Sequence, residues 1–196
     1  MTAAFLEFMR QYRLTGSEKA DGYSRDAFIG LDEQEKETVF GLLESELPFS
    51  AEWLVFLDRE RAIEVLKAKE PKWRKDPYAN AFLAQVELVR HFGDLVYQRH
   101  MIDDYPNYTD RLKPCLISAV WRTPQNSETF AFFKRVILSE ADEGAAKRAA
   151  WILLSALDVP RTTELERESY ERLKEQLLSD DPDVKQQALK YLERYE

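Results

Sequence analysis

Two clusters of side chains in this 196-residue chain have the types and spacing to hold a ligand. The first is LKAKEPKWRKDPY, where Lys67, Lys69, Lys72, Arg74 and Lys75 surround Trp73 and Tyr78. A basic loop with a central aromatic could bind an acidic peptide or a phosphate backbone. The plainer reading is an inter-helix turn with solvated lysines and Trp73 folded over the helix ends. The second cluster is YQRHMIDDYPNYTDR, which carries Tyr97, Tyr105 and Tyr108 among Asp103, Asp104 and Asp110. Tyrosine supplies contact area at low entropic cost, so a longer connection rich in it reads as an interface patch. Its alternative is a connection that packs its tyrosines onto the core. The candidate binding residues are therefore Trp73, Arg74, Tyr78, Asp103, Asp104, Tyr105 and Tyr108.

Catalytic and cofactor chemistry finds no comparable cluster. His91 and His100 lack the i, i+4 spacing of a helical metal pair, and HExxH is absent. His100 with Asp103 and Asp104 is a nominal ligand set, but Asp-Asp before a Tyr-Pro turn is also ordinary loop chemistry. The chain has no GxGxxG or GxxxxGK[ST] to cradle a phosphate and no GxSxG elbow. Cys115 has no identifiable histidine partner, and its apolar run, PCLISAV, predicts a buried small hydrophobe. Carboxylates number 36, too many for any pair to stand out. The expectation is a protein that is not an enzyme and carries no cofactor or metal.

The net charge of −8 belongs to the ends of the sequence. Residues 1–50 hold 10 acidic side chains against 5 basic, and residues 161–196 hold 10 against 7, while the middle balances. Nucleic acid requires a basic face to neutralise phosphates, so this distribution argues against it. An acidic surface would suit a protein partner with a basic one, or would simply serve solubility. No stretch approaches the roughly 18 apolar residues of a membrane span. Residues 1–14 lack the basic start and continuous apolar stretch of a signal peptide, which makes a cytoplasmic protein the expectation.

The elements that must position these residues are helical. Phe5, Phe8, Met9 and Tyr12 follow the i, i+3, i+4, i+7 rule, as do Val39, Phe40, Leu43 and Leu47, and Phe82, Val86, Val89 and Phe92. Val184, Ala188, Tyr191, Leu192 and Tyr195 form the closing stripe. Asp32 with Glu35 and Thr163 with Glu166 have capping-box spacing. Asp76-Pro77 and Asp181-Pro182 read as an N-cap followed by proline at the first helical position, and Ser50 and Ser127 are further cap candidates. About ten helices result, in one domain spanning 1–196. Residues 15–24 and 97–110 are the least regular stretches. Trp121 and Trp151 are expected in the core, and the nearly continuous apolar run from Ala149 to Leu157 predicts a helix covered on all sides.

Short helices on short links make antiparallel hairpins, and two segments predict that these hairpins repeat. LSEADEGAAKRAAWILLSAL (138–157) and LLSDDPDVKQQALKYLERY (177–195) align at a shift of 38 residues, with Ala146 on Val184, Lys147 on Lys185, Ala150 on Ala188 and Leu154 on Leu192. A period of roughly 30 to 45 residues is the signature of a helical solenoid. The second segment, with its Asp-Pro-Asp-Val turn and Ala-then-Leu helix, resembles the second half of a HEAT repeat. The N-terminal half, AFIGLDEQEKETVFGLLESELP followed by AEWLVFLDRERAIEVL, is similar in layout to bacterial HEAT-like proteins, some of which act as immunity factors beside toxins. The resemblance implies an all-α, short right-handed array of antiparallel helix hairpins and a protein-binding role, with an immunity-type inhibitor as its most concrete form. A HEAT-like nucleic-acid-binding protein or DNA glycosylase, and a structural assembly scaffold, are the alternatives. In such an array one helix of each hairpin faces the partner, which points to Arg122, Lys147, Arg148, Lys185 and Gln186. Connections one repeat apart would emerge on one edge, so Trp73 and Tyr105 could share a patch.

Overall fold

Local side-chain caps begin most of the helices. The computed structural model describes residues 1–16, 19 and 22–195, and among these are eleven α-helices and no strand. They are α1 (Ala3–Tyr12), α2 (Glu33–Ser45), α3 (Ala51–Leu57), α4 (Arg59–Trp73), α5 (Ala81–Phe92), α6 (Val96–Asp104), α7 (Lys113–Trp121), α8 (Ser127–Ser139), α9 (Glu143–Ala156), α10 (Glu164–Leu177) and α11 (Pro182–Leu192). Short 3-10 turns lie at Arg25–Ala27, Tyr105–Asn107 and Glu193–Tyr195. Both expected capping boxes form, at Asp32/Glu35 and Thr163/Glu166, and Asp181 caps α11 ahead of Pro182. The irregular reading of 15–24 falls partly on residues 17, 18, 20 and 21, which lie outside the described residues.

Several expectations need correction. The stretch 97–110 is mostly ordered helix: α6 runs to Asp104 and the 3-10 turn follows directly. The basic stretch is not a loop either, because α4 continues through Pro71 to Trp73. Asp76 does not start a helix. Its carboxylate accepts from Tyr78 N and closes a turn, and α5 begins after Asn80. Asn126, rather than Ser127, caps α8, by a reciprocal pair with Thr129.

The chain forms two compact units, Met1–Tyr97 and Gln98–Glu196. In the first, consecutive helices pack as neighbours from α2 to α5, α3 also reaches α5, and α1 packs on α2 and on the 3-10 turn at 25–27. Phe8, Phe40, Leu43, Leu54 and Leu66 are fully buried there, each worth roughly 1.5–3 kcal/mol of hydrophobic stabilisation. In the second unit α9 is central. It packs on α7, α8 and α10, while α11 packs on α10 and α8. Four alanines on its buried arc, Ala145, Ala146, Ala149 and Ala150, allow these neighbours to approach closely.

That arc does not close around the helix. Lys147 and Trp151 are exposed and Arg148 is half-buried, so α9 keeps a solvent-facing stripe and Trp151 is 42% accessible. The apolar run misled because Trp151 follows Lys147 by four residues and Arg148 by three, and so falls on the outward stripe although its neighbours in sequence are buried. Trp121 is half-buried, and Cys115 is exposed, because it falls on the outward side of α7 with Arg122.

Candidate functional site

The first cluster sits at the C-terminal end of α4. Trp73 is half-buried and packs against the core of its unit. Arg74 lies 3.9 Å from the buried carboxylate of Glu70, Lys67 pairs with Glu64 and stacks 3.6 Å over Phe92, and Lys69 pairs with Glu44. Three of the five cations are thus answered within the protein, and Lys72 and Lys75 are exposed. Tyr78 is 74% accessible.

The second cluster is turned inward. Tyr105 and Tyr108 are buried, Asp104 is at the edge of burial, and Asp103 is exposed on α6. The Tyr105 ring meets Phe132 edge-on at 5.2 Å. Its hydroxyl donates to Glu140 Oε2 at 2.7 Å, and Lys113 Nζ donates to Glu140 Oε1 at 3.1 Å. The backbone N–H of Asp142 also donates to Glu140. Burial and the Glu140 carboxylate both hold the Tyr105 hydroxyl protonated, well above the ordinary tyrosine range. Burial would raise Glu140, but the Asp142, Tyr105 and Lys113 donors outweigh it and keep the carboxyl below its ordinary value.

A second tyrosine–glutamate–lysine triad occurs in the first unit, where the sequence carries no obvious motif. Tyr23 donates to Glu46 Oε2 at 2.6 Å, Lys19 Nζ lies 2.8 Å from Glu46 Oε1, and the same ammonium donates to the Tyr23 hydroxyl at 2.8 Å. Here too burial, then the carboxylate, push the tyrosine hydroxyl well above its ordinary range. Helix α2 delivers Glu46 at its C-cap, and the 25–27 turn holds Tyr23 against α1, where its ring stacks on Phe8 at 5.1 Å.

This triad opens onto a pocket of about 620 Å³ lined by Gly22, Tyr23, Glu46, Leu47, Phe49 and Trp53, among others. The volume is in the range of a ligand site, mostly apolar with a few convergent polar groups. Its Trp53 wall is braced by aromatic packing. Trp53 stacks flat on Phe28 at 5.3 Å, and Phe28 and Trp53 each meet Phe56 edge-on. The indole N–H of Trp53 lies beside Gly22 and makes no hydrogen bond among the described residues. Phe49, 70% accessible, and Phe56, 45% accessible, extend the aromatic surface outward. The signals that could have found it are the aromatics at 49, 53 and 56, whose 3–4 residue spacing marks one helix side, together with Gly16 and Gly22.

Chemically, the pocket offers aromatic surface, one free indole donor and a neutralised Lys–Glu pair, which suits capture of an apolar group with a nearby acceptor. Among the described residues no three histidine, cysteine or carboxylate side chains cluster so as to hold a metal ion, and no helix is long and apolar enough to cross a membrane. Comparison with known proteins finds no matching family model, curated protein or solved structure.

Proposed function

We propose that this chain is a non-enzymatic protein-binding module whose hairpins form a short HEAT-like array, and that its most concrete form is an immunity-type inhibitor that holds a partner protein. The observation that carries the reading is the Trp53 pocket. It is an aromatic recess with Phe49 standing largely in solvent beside it, and an exposed aromatic at a concave site is the usual anchor of a protein interface. The partner inserts an apolar side chain against Trp53 and Tyr23, and its backbone carbonyl accepts from the indole N–H. The acidic excess of residues 1–50 favours basic residues around that anchor.

The test is capture by the full chain and by Phe49→Ser and Trp53→Ala variants, with melting temperature followed in each. Loss of the captured protein in Phe49→Ser, at unchanged melting temperature, is the expected result. A partner retained equally by both variants places the binding surface elsewhere and rejects the pocket.

A further inference from the structure

In the second unit, Trp151 is exposed and does not stand alone. The Arg148 guanidinium lies 4.8 Å from the Trp151 ring centroid, and Arg148 Nε donates to Ser118 Oγ at 2.7 Å, which ties α9 to α7. Ser118 in turn donates to the carbonyl of Pro114, so the arginine is held from both sides. No carboxylate of the described residues pairs with Arg148. With Nε engaged, its two terminal nitrogens remain, and their spacing matches the two oxygens of a carboxylate.

The surroundings share that polarity. Residues 111–127 and 144–157, which contribute α7 and most of α9, contain Arg111, Lys113, Arg122, Lys147 and Arg148 and not one aspartate or glutamate. This is unusual in a chain of net charge −8. Lys113 is turned inward onto Glu140, and Lys147 pairs with Glu143 on the exposed side. Arg148 is thus the fixed, uncompensated cation of the face, and Trp151 is the flat apolar surface beside it.

We infer that the α7–α9 face is a second docking surface, which takes an acidic segment of a protein partner. A glutamate or aspartate carboxylate bridges the free nitrogens of Arg148, and an aliphatic side chain next to it covers Trp151. Tryptophan and arginine are the residue types most enriched among energetically dominant interface positions, and their stacking pre-orders the guanidinium plane. A nucleic-acid backbone fits less well. It demands a row of cations for successive phosphates, and Lys113 and Lys147 are already engaged by Glu140 and Glu143. The inference stands on the second unit and is independent of the Trp53 pocket.

The experiment uses the full chain and a fluorescein-labelled peptide of alternating glutamate and leucine, followed by anisotropy. A lysine–leucine peptide and an oligo-thymidylate of equal length serve as comparison probes. The glutamate peptide is expected to bind, and Arg148→Gln is expected to weaken it by about tenfold or more, as loss of a charge-assisted bidentate contact should. Trp151→Gln should weaken it as well, while Phe49→Ser leaves it unchanged. Both substituted positions reach solvent, so the melting temperature should hold; if Trp151→Gln lowers it, Arg148→Gln carries the test alone. Absence of binding, equal affinity in Arg148→Gln, or tighter binding of the oligo-thymidylate each overturns the proposal.

Discussion

The two units contain the same three-residue chemistry and use it differently. In each, a buried tyrosine hydroxyl donates to a glutamate that also holds a lysine: Tyr23–Glu46–Lys19 in the first and Tyr105–Glu140–Lys113 in the second. In the second unit the side chains of Lys113 and Glu140 are only 14% and 10% accessible, and Glu140 also accepts from the backbone at Asp142. That triad clamps three connections: the 105–107 turn, the start of α7 and the α8–α9 link. In the first unit Lys19 and Glu46 are 28% and 23% accessible and face the pocket. A polar cluster sealed from water acts as a fastener, because every lost partner leaves a buried group unsatisfied. The same cluster at a pocket floor can exchange a protein partner for water or ligand, so it tolerates change.

Deleting each carboxylate breaks this comparison most directly. Glu140→Ala strands the Tyr105 hydroxyl and the Asp142 N–H and leaves Lys113 with Asp110 alone, and should cost about 3 kcal/mol, in the range found for breaking a buried charge pair. Glu46→Ala should cost about 1 kcal/mol, since water reaches the groups it leaves. Urea denaturation midpoints measure both. Equal losses would mean that the pocket triad is a structural fastener as well.

Acid gives a smaller effect on the same residue, because a protonated Glu140 still accepts a hydrogen bond. Its folded carboxyl is held below the ordinary value of 4.5. The folded state therefore binds fewer protons than the unfolded state in that region. The stabilisation is complete above about pH 4.5 and is lost as pH falls through the lower folded value. Glu140→Gln should be less stable than the parent at neutral pH, and the gap should narrow below that point. A gap independent of pH would show that the charge on Glu140 contributes nothing.

How much of this could be read beforehand follows from what each signal reports. Helix type and most starts were legible, because periodicity and capping are local: the Asp32, Asp181 and Thr163 caps stand where their spacing puts them. Asp76 failed because a side-chain oxygen can close a turn as readily as cap a helix. The binding clusters stood out for composition, and composition does not tell direction. Tyr105 and Tyr108 face inward, and Lys67 and Lys69 meet Glu64 and Glu44. Of the Trp53 pocket only the aromatic spacing at 49, 53 and 56 was legible, since Tyr23, Glu46 and Trp53 converge through tertiary packing. Trp151 was hidden for the opposite reason, within a run whose neighbours Ala149, Ala150, Ile152 and Leu153 are core.

The smallest difference, between two glycine variants, sharpens the reading of the pocket wall. Gly22 has φ +76°, a left-handed conformation that an L side chain adopts at a cost of roughly 1–2 kcal/mol. A Cβ there would come 3.3 Å from Trp53 Nε1, and the indole cannot slide away freely because it is stacked on Phe28. Gly30 has φ +92° but open space where its Cβ would stand, so it carries strain without crowding. Gly30→Ala therefore isolates the backbone penalty. Gly22→Ala should cost that amount and a few tenths of a kcal/mol more, the scale of a forced shift against a packed ring. It should also change tryptophan emission, which Gly30→Ala should leave alone. If both variants lose the same stability and neither alters emission, Trp53 has room to move, and a pocket wall that gives way is a poor anchor for a partner side chain. If only Gly22→Ala perturbs the indole, the wall is as stiff as its stacking implies, and the recess is pre-formed to receive an apolar group.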